Sequence, residues 1–253
     1  MNNPAHSSSS RRTVLLAAFR YSIPVLLGYI AIGVAFGLLL SGGGYPWWLA
    51  LVMGLWMYAG AGQFIAAGLF VAGTSLWEVC IIQLVVNARH IAYGLSMLKR
   101  FKGFGPWKPY MIFSLTDETF ALLSSLPEKA GPYGGDKEKR RLFMRYVALL
   151  DQCYWVFGSV TGAVAGTLIP FDMKGIGFAL TALFIVLMIE QIQRVKRAPL
   201  FIISGIAALL AVFFLPSRIS LLAALALALV LSPFAERQTK RTSAENTTKT
   251  GEP

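Results

Sequence analysis

Charge is scarce in this chain. Only 14% of its 253 residues are Asp, Glu, Lys or Arg, against roughly 25% in soluble domains. None of them lies between Tyr21 and Trp77. With 56% hydrophobic residues, this excludes a soluble globular domain and predicts helices in a bilayer. The apolar runs are too long, and too free of alternation, for the strands of a membrane barrel. Cysteine is nearly absent. Cys80 and Cys153 sit far apart in apolar stretches, which excludes a disulfide framework and predicts two small buried hydrophobes. There are two histidines, and His6 is in the polar N-terminal stretch, so no His-rich metal centre can be built. A phosphate-binding glycine loop and a Ser/His/Asp set are also missing. The expectation is therefore neither an enzyme nor a metal or cofactor protein. The net charge of +11 does not imply nucleic acid, because the basic residues flank apolar runs as they do in cytoplasmic loops of membrane proteins.

What is present is a series of apolar segments. Residues 1–20 read as a cytoplasmic tail, Ser-rich over its first ten positions. Ser10-Arg11-Arg12 has the look of an export signal, but Arg20 interrupts its apolar part, and Arg11, Arg12 and Arg20 read as an anchor for the first span. That span is residues 21–40, with Pro24 expected in its first turn. Residues 47–72 are either a broken span or a re-entrant hairpin. Residues 78–98 form the next span. Residues 110–126 are an interfacial helix or a charged span, and 129–145 a basic loop. Residues 146–169, 175–193, 199–215 and 219–234 complete the spans, and 235–253 are a polar tail. The single transmembrane domain thus covers residues 21–234. A count of six spans plus a hairpin leaves every basic residue on the inside except Arg89, Lys174 and Arg218; the alternative, eight crossings, leaves a further basic cluster outside. Both versions keep the two termini cytoplasmic.

The first candidate site is Tyr58-Ala59-Gly60-Ala61-Gly62-Gln63, inside the uncharged run. Gly60 and Gly62 are poor helix formers, and Gln63 is the only amide side chain of the run. A broken helix here would expose backbone groups and Gln63 to a solute, since irregular backbone at membrane depth is tolerated only against protein or a water-filled cavity. A continuous helix packed through its small residues is the competing reading. The second candidate is Asn87, Arg89, His90 and Tyr93, four polar-capable side chains within two turns. Arg89 is either a gating charge or an anchor reaching the interface, and His90 either a proton carrier or a helix–helix hydrogen bond. The carboxyl groups of Asp117, Glu118, Asp151 and Glu190 are candidate partners for Arg89 or proton sites, and Thr116-Asp117-Glu118 also reads as a helix start.

Three stretches together carry a resemblance. Tyr58-Ala59-Gly60-Ala61-Gly62-Gln63-Phe64, Asn87-Ala88-Arg89-His90-Ile91-Ala92-Tyr93-Gly94 and Thr116-Asp117-Glu118-Thr119-Phe120-Ala121 are similar, in order and spacing, to segments of the AzlC family, the large subunits of bacterial branched-chain amino acid exporters. The later run from Gly175 to Phe184 is similar too. The sequence departs from the family at Gly62, where Ser is frequent, at Ala88, where Leu is usual, and at Gly177, where Asp is common. The resemblance implies export of Val, Ile, Leu or Met across the bacterial cytoplasmic membrane, driven by the proton gradient, together with a small AzlD-type membrane partner. The chemistry of the residues puts Gly60, Gly62 and Gln63 at the solute, Asn87 and Arg89 at the solute or in the architecture or gating, and His90, Asp117, Glu118 and Asp151 in proton coupling or gating. A non-transporting assembly factor and a passive channel are the rival readings.

Overall fold

The computed structural model describes residues 4–127, 133, 135–168 and 198–215, with isolated positions between 185 and 192. The chain forms two compact units, 1–177 and 178–253. The described part of the second unit is essentially one apolar helix, α8 (Ala198–Phe214), close to the expected span at 199–215. Apart from the helical positions 185, 188, 189 and 192, the spans expected at 175–193 and 219–234 lie outside the described residues, as do the C-terminal tail, Gly177 and Glu190.

All the described elements are helical: α1 (Pro4–Gly42), α2 (Trp47–Trp56), α3 (Gly60–Val71), α4 (Leu76–Met97), α5 (Lys108–Phe113), α6 (Asp117–Ser125), α7 (Lys137–Leu168) and α8, with a short 3₁₀ turn at Gly105–Trp107. Within α1, α4 and α7, the stretches Arg11–Gly42, Leu76–Met97 and Lys137–Leu168 are long and apolar enough to cross a bilayer. Their outward faces carry Leu27, Leu84, Leu95, Phe157 and Leu168, all strongly exposed. Such surface is stable against lipid and costly against water.

Two helices are longer than expected. α1 begins well before Tyr21 because Val14 and Ala18 are fully buried in a core with Met97, Phe101, Met111, Leu123, Phe143 and Val147. Pro24 consequently lies deep inside α1, where its missing N–H leaves the carbonyl four residues back without a helical donor. α7 begins at Lys137, inside the stretch expected to be loop. Asp136 accepts the backbone N–H groups of Glu138 and Lys139 at 3.0 Å each, which satisfies donors that a helix start otherwise leaves open. Cys80 and Cys153 are free and exposed, not buried, because they fall on the outward faces of α4 and α7.

α1 and α7 run parallel and in close contact. Ser22 meets Tyr154, Ile30 meets Gly158, Val34 meets Gly162 and Ser41 meets Gly166. A Cβ on Gly37 would overlap backbone atoms of Ser159 and Ala163, and one on Gly162 the carbonyl of Val34. The small-residue spacing of α7 therefore lets the two backbones touch.

Residues 47–72 form a hairpin. α2 leaves the C-terminal end of α1, and Gly54 reaches Val156 midway along α7. α3 then returns: Gly60 lies under the Trp155 ring, Phe64 is 5.4 Å from Phe36, and Phe70 is back beside Tyr45 at 5.8 Å. Residues 110–126 form a second hairpin from the opposite end, neither an interfacial helix nor a span. Trp107 lies 5.5 Å from the Arg145 guanidinium, and Ile112 packs on Gly94. α6 returns so that Arg100 donates to the carbonyls of Leu123 and Ser124 and Leu126 joins the core around Val14. The two tips meet halfway, with the Tyr58 and Phe113 rings 6.2 Å apart.

Candidate functional site

The first tip is a helix break, as Tyr58–Gln63 suggested, but the break precedes the glycines. Tyr58 holds φ 34°, a left-handed conformation that a bulky side chain rarely adopts and that costs about 1–3 kcal/mol. Its N–H bonds the Met53 carbonyl at 3.1 Å, and its ring is buried. Gly60 and Gly62 lie inside the first turn of α3, where they serve close approach. A Cβ on Gly60 would press on Trp155, and one on Gly62 would crowd the amides of Gln83 and Asn87.

The two returning helices start differently. α6 is capped by Thr116, which accepts from Thr119 N–H, and carries Asp117 and Glu118 in its first turn. α3 follows Ala59, which supplies no side-chain cap. The first N–H of α3 with a helical acceptor is that of Gln63, bonded to the Ala59 carbonyl at 2.8 Å. α3 thus begins with open donors and the positive end of a helix dipole, whereas α6 begins with carboxylates.

Between the tips and α4 lies a cleft of about 320 Å³ lined by Met57, Tyr58, Ala59, Asn87, His90, Ile91, Ile112 and Phe113. That is at the small end of the range, about 300–1,000 Å³, for small-molecule sites. Asn87 donates to Gln83 at 3.0 Å, and Gln83 donates to the Gly62 carbonyl at 2.8 Å. Asn87 Oδ1 has no partner among the described residues. His90 is held by the Asn87 carbonyl at 3.2 Å and lies edge-on to Tyr93.

Of the sequence candidates, Asn87 and His90 line the cleft. Arg89 does not. It pairs with Asp117 at 2.6 Å, and Asp117 also accepts from Tyr93 at 2.6 Å. This latch joins α4 to the second tip. Gln63 is fully buried beside the cleft, and neither its oxygen nor its nitrogen has a partner among the described residues. Glu118 accepts from Tyr29 at 2.8 Å. Asp151 is fully buried and accepts from Thr119 at 2.8 Å through Oδ2, while Oδ1 has no partner among the described residues.

Several residues that sequence reasoning passed over hold these parts together. Gln152 donates to the carbonyls of Gly54 and Leu55 at 3.3 Å and accepts from Tyr110 at 2.9 Å. It satisfies the open carbonyl end of α2 and ties both hairpins to α7. Tyr29 lies 2.5 Å from Thr116 Oγ1 and fixes the second tip to α1. Gln152 had a visible signal, a second polar residue beside Asp151 in an apolar run. Tyr29 had none, because a tyrosine in a span is ordinary.

A family model described as "AzlC protein" matches residues 24–169. The chain is 46% identical over 178 residues to an uncharacterized membrane protein of Helicobacter pylori strain J99, covering 70% of this chain and 75% of that protein. It is 33% identical over 202 residues to the branched-chain amino acid transport protein AzlC of Bacillus subtilis, covering 78% and 77%. It is 28% identical over 200 residues to the inner membrane protein YgaZ of Escherichia coli, covering 77% and 80%. No solved structure matches significantly.

Proposed function

The chain belongs to the AzlC family of membrane proteins, and on that premise we propose that it is the large subunit of a proton-coupled exporter of Val, Ile, Leu and Met. The observation that carries the reading is the meeting of two hairpins from opposite ends at one small cleft. A zwitterion needs donors for its carboxylate and acceptors for its ammonium. The uncapped start of α3 suits the first; Asn87 Oδ1 on the cleft wall, without a partner among the described residues, suits the second. The apolar wall of Met57, Ile91, Ile112 and Phe113 suits a branched side chain. Gln63 and Gly62 act by letting α3 move against α4, and His90 carries or gates protons. The Arg89–Asp117 latch holds the second tip.

The basic residues support an orientation. Apart from Arg89, all those in the first unit's described helices and turns lie at or towards the end where α1 and α7 begin, from Arg11 and Arg12 through Lys99, Arg100, Lys102 and Lys108 to Lys137–Arg145. That end is cytoplasmic by the positive-inside rule. α1, α4 and α7 then cross the cytoplasmic membrane, the first hairpin re-enters from outside and the second from inside. The small AzlD-type subunit completes the transporter.

The test is efflux from cells fed Val-, Ile- or Met-containing dipeptides and expressing the chain with and without an AzlD-type partner. Faster release than from empty cells, abolished by an uncoupler, supports the reading. Absence of release from a well-expressed pair removes the substrate assignment. Gln63→Ala should abolish release at unchanged protein level, whereas an assembly factor would tolerate it.

A further inference from the structure

Resting on the proton-coupled reading above, we propose that Tyr29, Thr116 and Thr119 form a proton relay between the carboxyl groups of Glu118 and Asp151. The five side chains make one continuous hydrogen-bonded chain. Tyr29 OH lies 2.8 Å from Glu118 Oε2 and 2.5 Å from Thr116 Oγ1. Thr116 Oγ1 donates to Thr119 Oγ1 at 3.1 Å, and Thr119 Oγ1 donates to Asp151 Oδ2 at 2.8 Å.

Each of the three links is a hydroxyl, which donates and accepts at once, as a relay requires. The ends differ in access. Glu118 is half-buried, while Asp151 is fully enclosed. The titratable groups facing Asp151 are Tyr29 on α1, Tyr58 on the first tip, Tyr110 on α5, Glu118 on α6 and Tyr154 on α7. Among the described residues no Lys, Arg or His forms an ion pair with it. An enclosed carboxylate without a counter-ion is costly, so a route for bringing it a proton has a physical purpose.

The step balances. A proton on Glu118 Oε2 passes to the Tyr29 oxygen as Tyr29 gives its own to Thr116 Oγ1. Thr116 passes one to Thr119, and Thr119 passes one to Asp151 Oδ2. Glu118 ends as a carboxylate and Asp151 as a neutral acid; each hydroxyl has gained and lost one proton, and no electrons move between groups. The hydroxyls then rotate back. Because the chain joins α1, the second tip and α7, withdrawal of that tip breaks it, which ties proton movement to conformation.

The experiment uses the full chain, with its small subunit where efflux requires one, in liposomes that enclose a pH-sensitive dye. Two rates are read: proton movement driven by a valine gradient, and valine–valine exchange, which needs no net proton movement. Tyr29→Phe and Thr119→Val should each slow proton movement by roughly a hundredfold or more, the lower end of what a positioned proton-transfer group contributes, while exchange continues near the native rate. Thr119→Ser should restore proton movement. Unchanged proton movement in both variants overturns the relay. Equal loss of exchange in Thr119→Val and Thr119→Ser also overturns it, by showing a packing role. Native protein that exchanges valine without moving protons sinks the relay and leaves transport standing; native protein that moves neither removes the transport reading itself.

Discussion

Removing the Arg89–Asp117 latch whole should cost less than the two single breaks add up to. The ion pair is 2.6 Å long, and its side chains are 30% and 14% exposed. Unit charges about 4 Å apart at an effective dielectric near 20 attract by about 4 kcal/mol, most of it offset by lost solvation. Losing one partner of a fully buried pair costs about 3–5 kcal/mol; the solvent contact left to Arg89 lowers the expected cost to about 2 kcal/mol. Asp117→Asn keeps an acceptor for Tyr93 but leaves Arg89 uncompensated. Arg89→Gln leaves Asp117 uncompensated. Each single variant should lower the unfolding temperature by about 4–8 °C in a chain of this size. The double variant should lose about 1–2 kcal/mol less than the sum of the singles. The assay is thermal unfolding of the four proteins in one detergent. Singles that add to within about 0.5 kcal/mol would refute the reasoning, because the two charges would then be solvated independently.

Gln152→Leu should leave the Gly54 and Leu55 carbonyls and the Tyr110 hydroxyl without their partner and cost about 1–3 kcal/mol, seen as a lower unfolding midpoint. Gly162→Ala should destabilise the α1–α7 contact by about 1–3 kcal/mol through overlap with Val34, whereas Gly28→Ala, which meets nothing within 4 Å, should be tolerated; yields of folded protein compare the two. The carboxyl of Asp136 is held below its ordinary value by the Lys139 backbone N–H, with the Lys139 ammonium at 3.3 Å also contributing. Its support for the start of α7 is therefore complete above the unfolded value of about 3.9 and is lost as pH falls through the lower folded value. Amide exchange at residues 138–141, corrected for its intrinsic pH dependence, should show this loss, and Asp136→Ala should abolish it.

The sequence carried the class of the fold and the position of the first break, because both depend on local composition. The charge-free run from Tyr21 to Trp77 needed no long-range information, and the Gly60–Gly62 pair pointed to the right stretch although the break itself falls at Tyr58. Helix ends were less legible. Val14 and Ala18 look like tail until the packing partners from α4, α5 and α7 are known, and Asp136 as a cap is one polar residue among many in a basic stretch. The second hairpin was hidden for a different reason. Thr116-Asp117-Glu118 announced a helix start, but nothing local said that α5 before it ran towards the same tip. Arg89 was legible as a charge needing a partner, and Asp117 was among the candidates named. That Gln63 would be fully enclosed and absent from the cleft wall depends on how α3 packs in three dimensions, which its local sequence does not show.

The central claim is that a branched-chain amino acid occupies the cleft where the hairpin tips meet, and protection of a cysteine placed there tests it most directly. Cys80 and Cys153 are exposed and are first replaced by Ser. Met57→Cys then puts one thiol on the cleft wall, and its reaction with a small water-soluble thiosulfonate is followed as valine or leucine is added. The account predicts saturable slowing by valine and leucine and none by aspartate or lysine. An unchanged rate in a variant that still exports would contradict it and move the solute site away from the two tips.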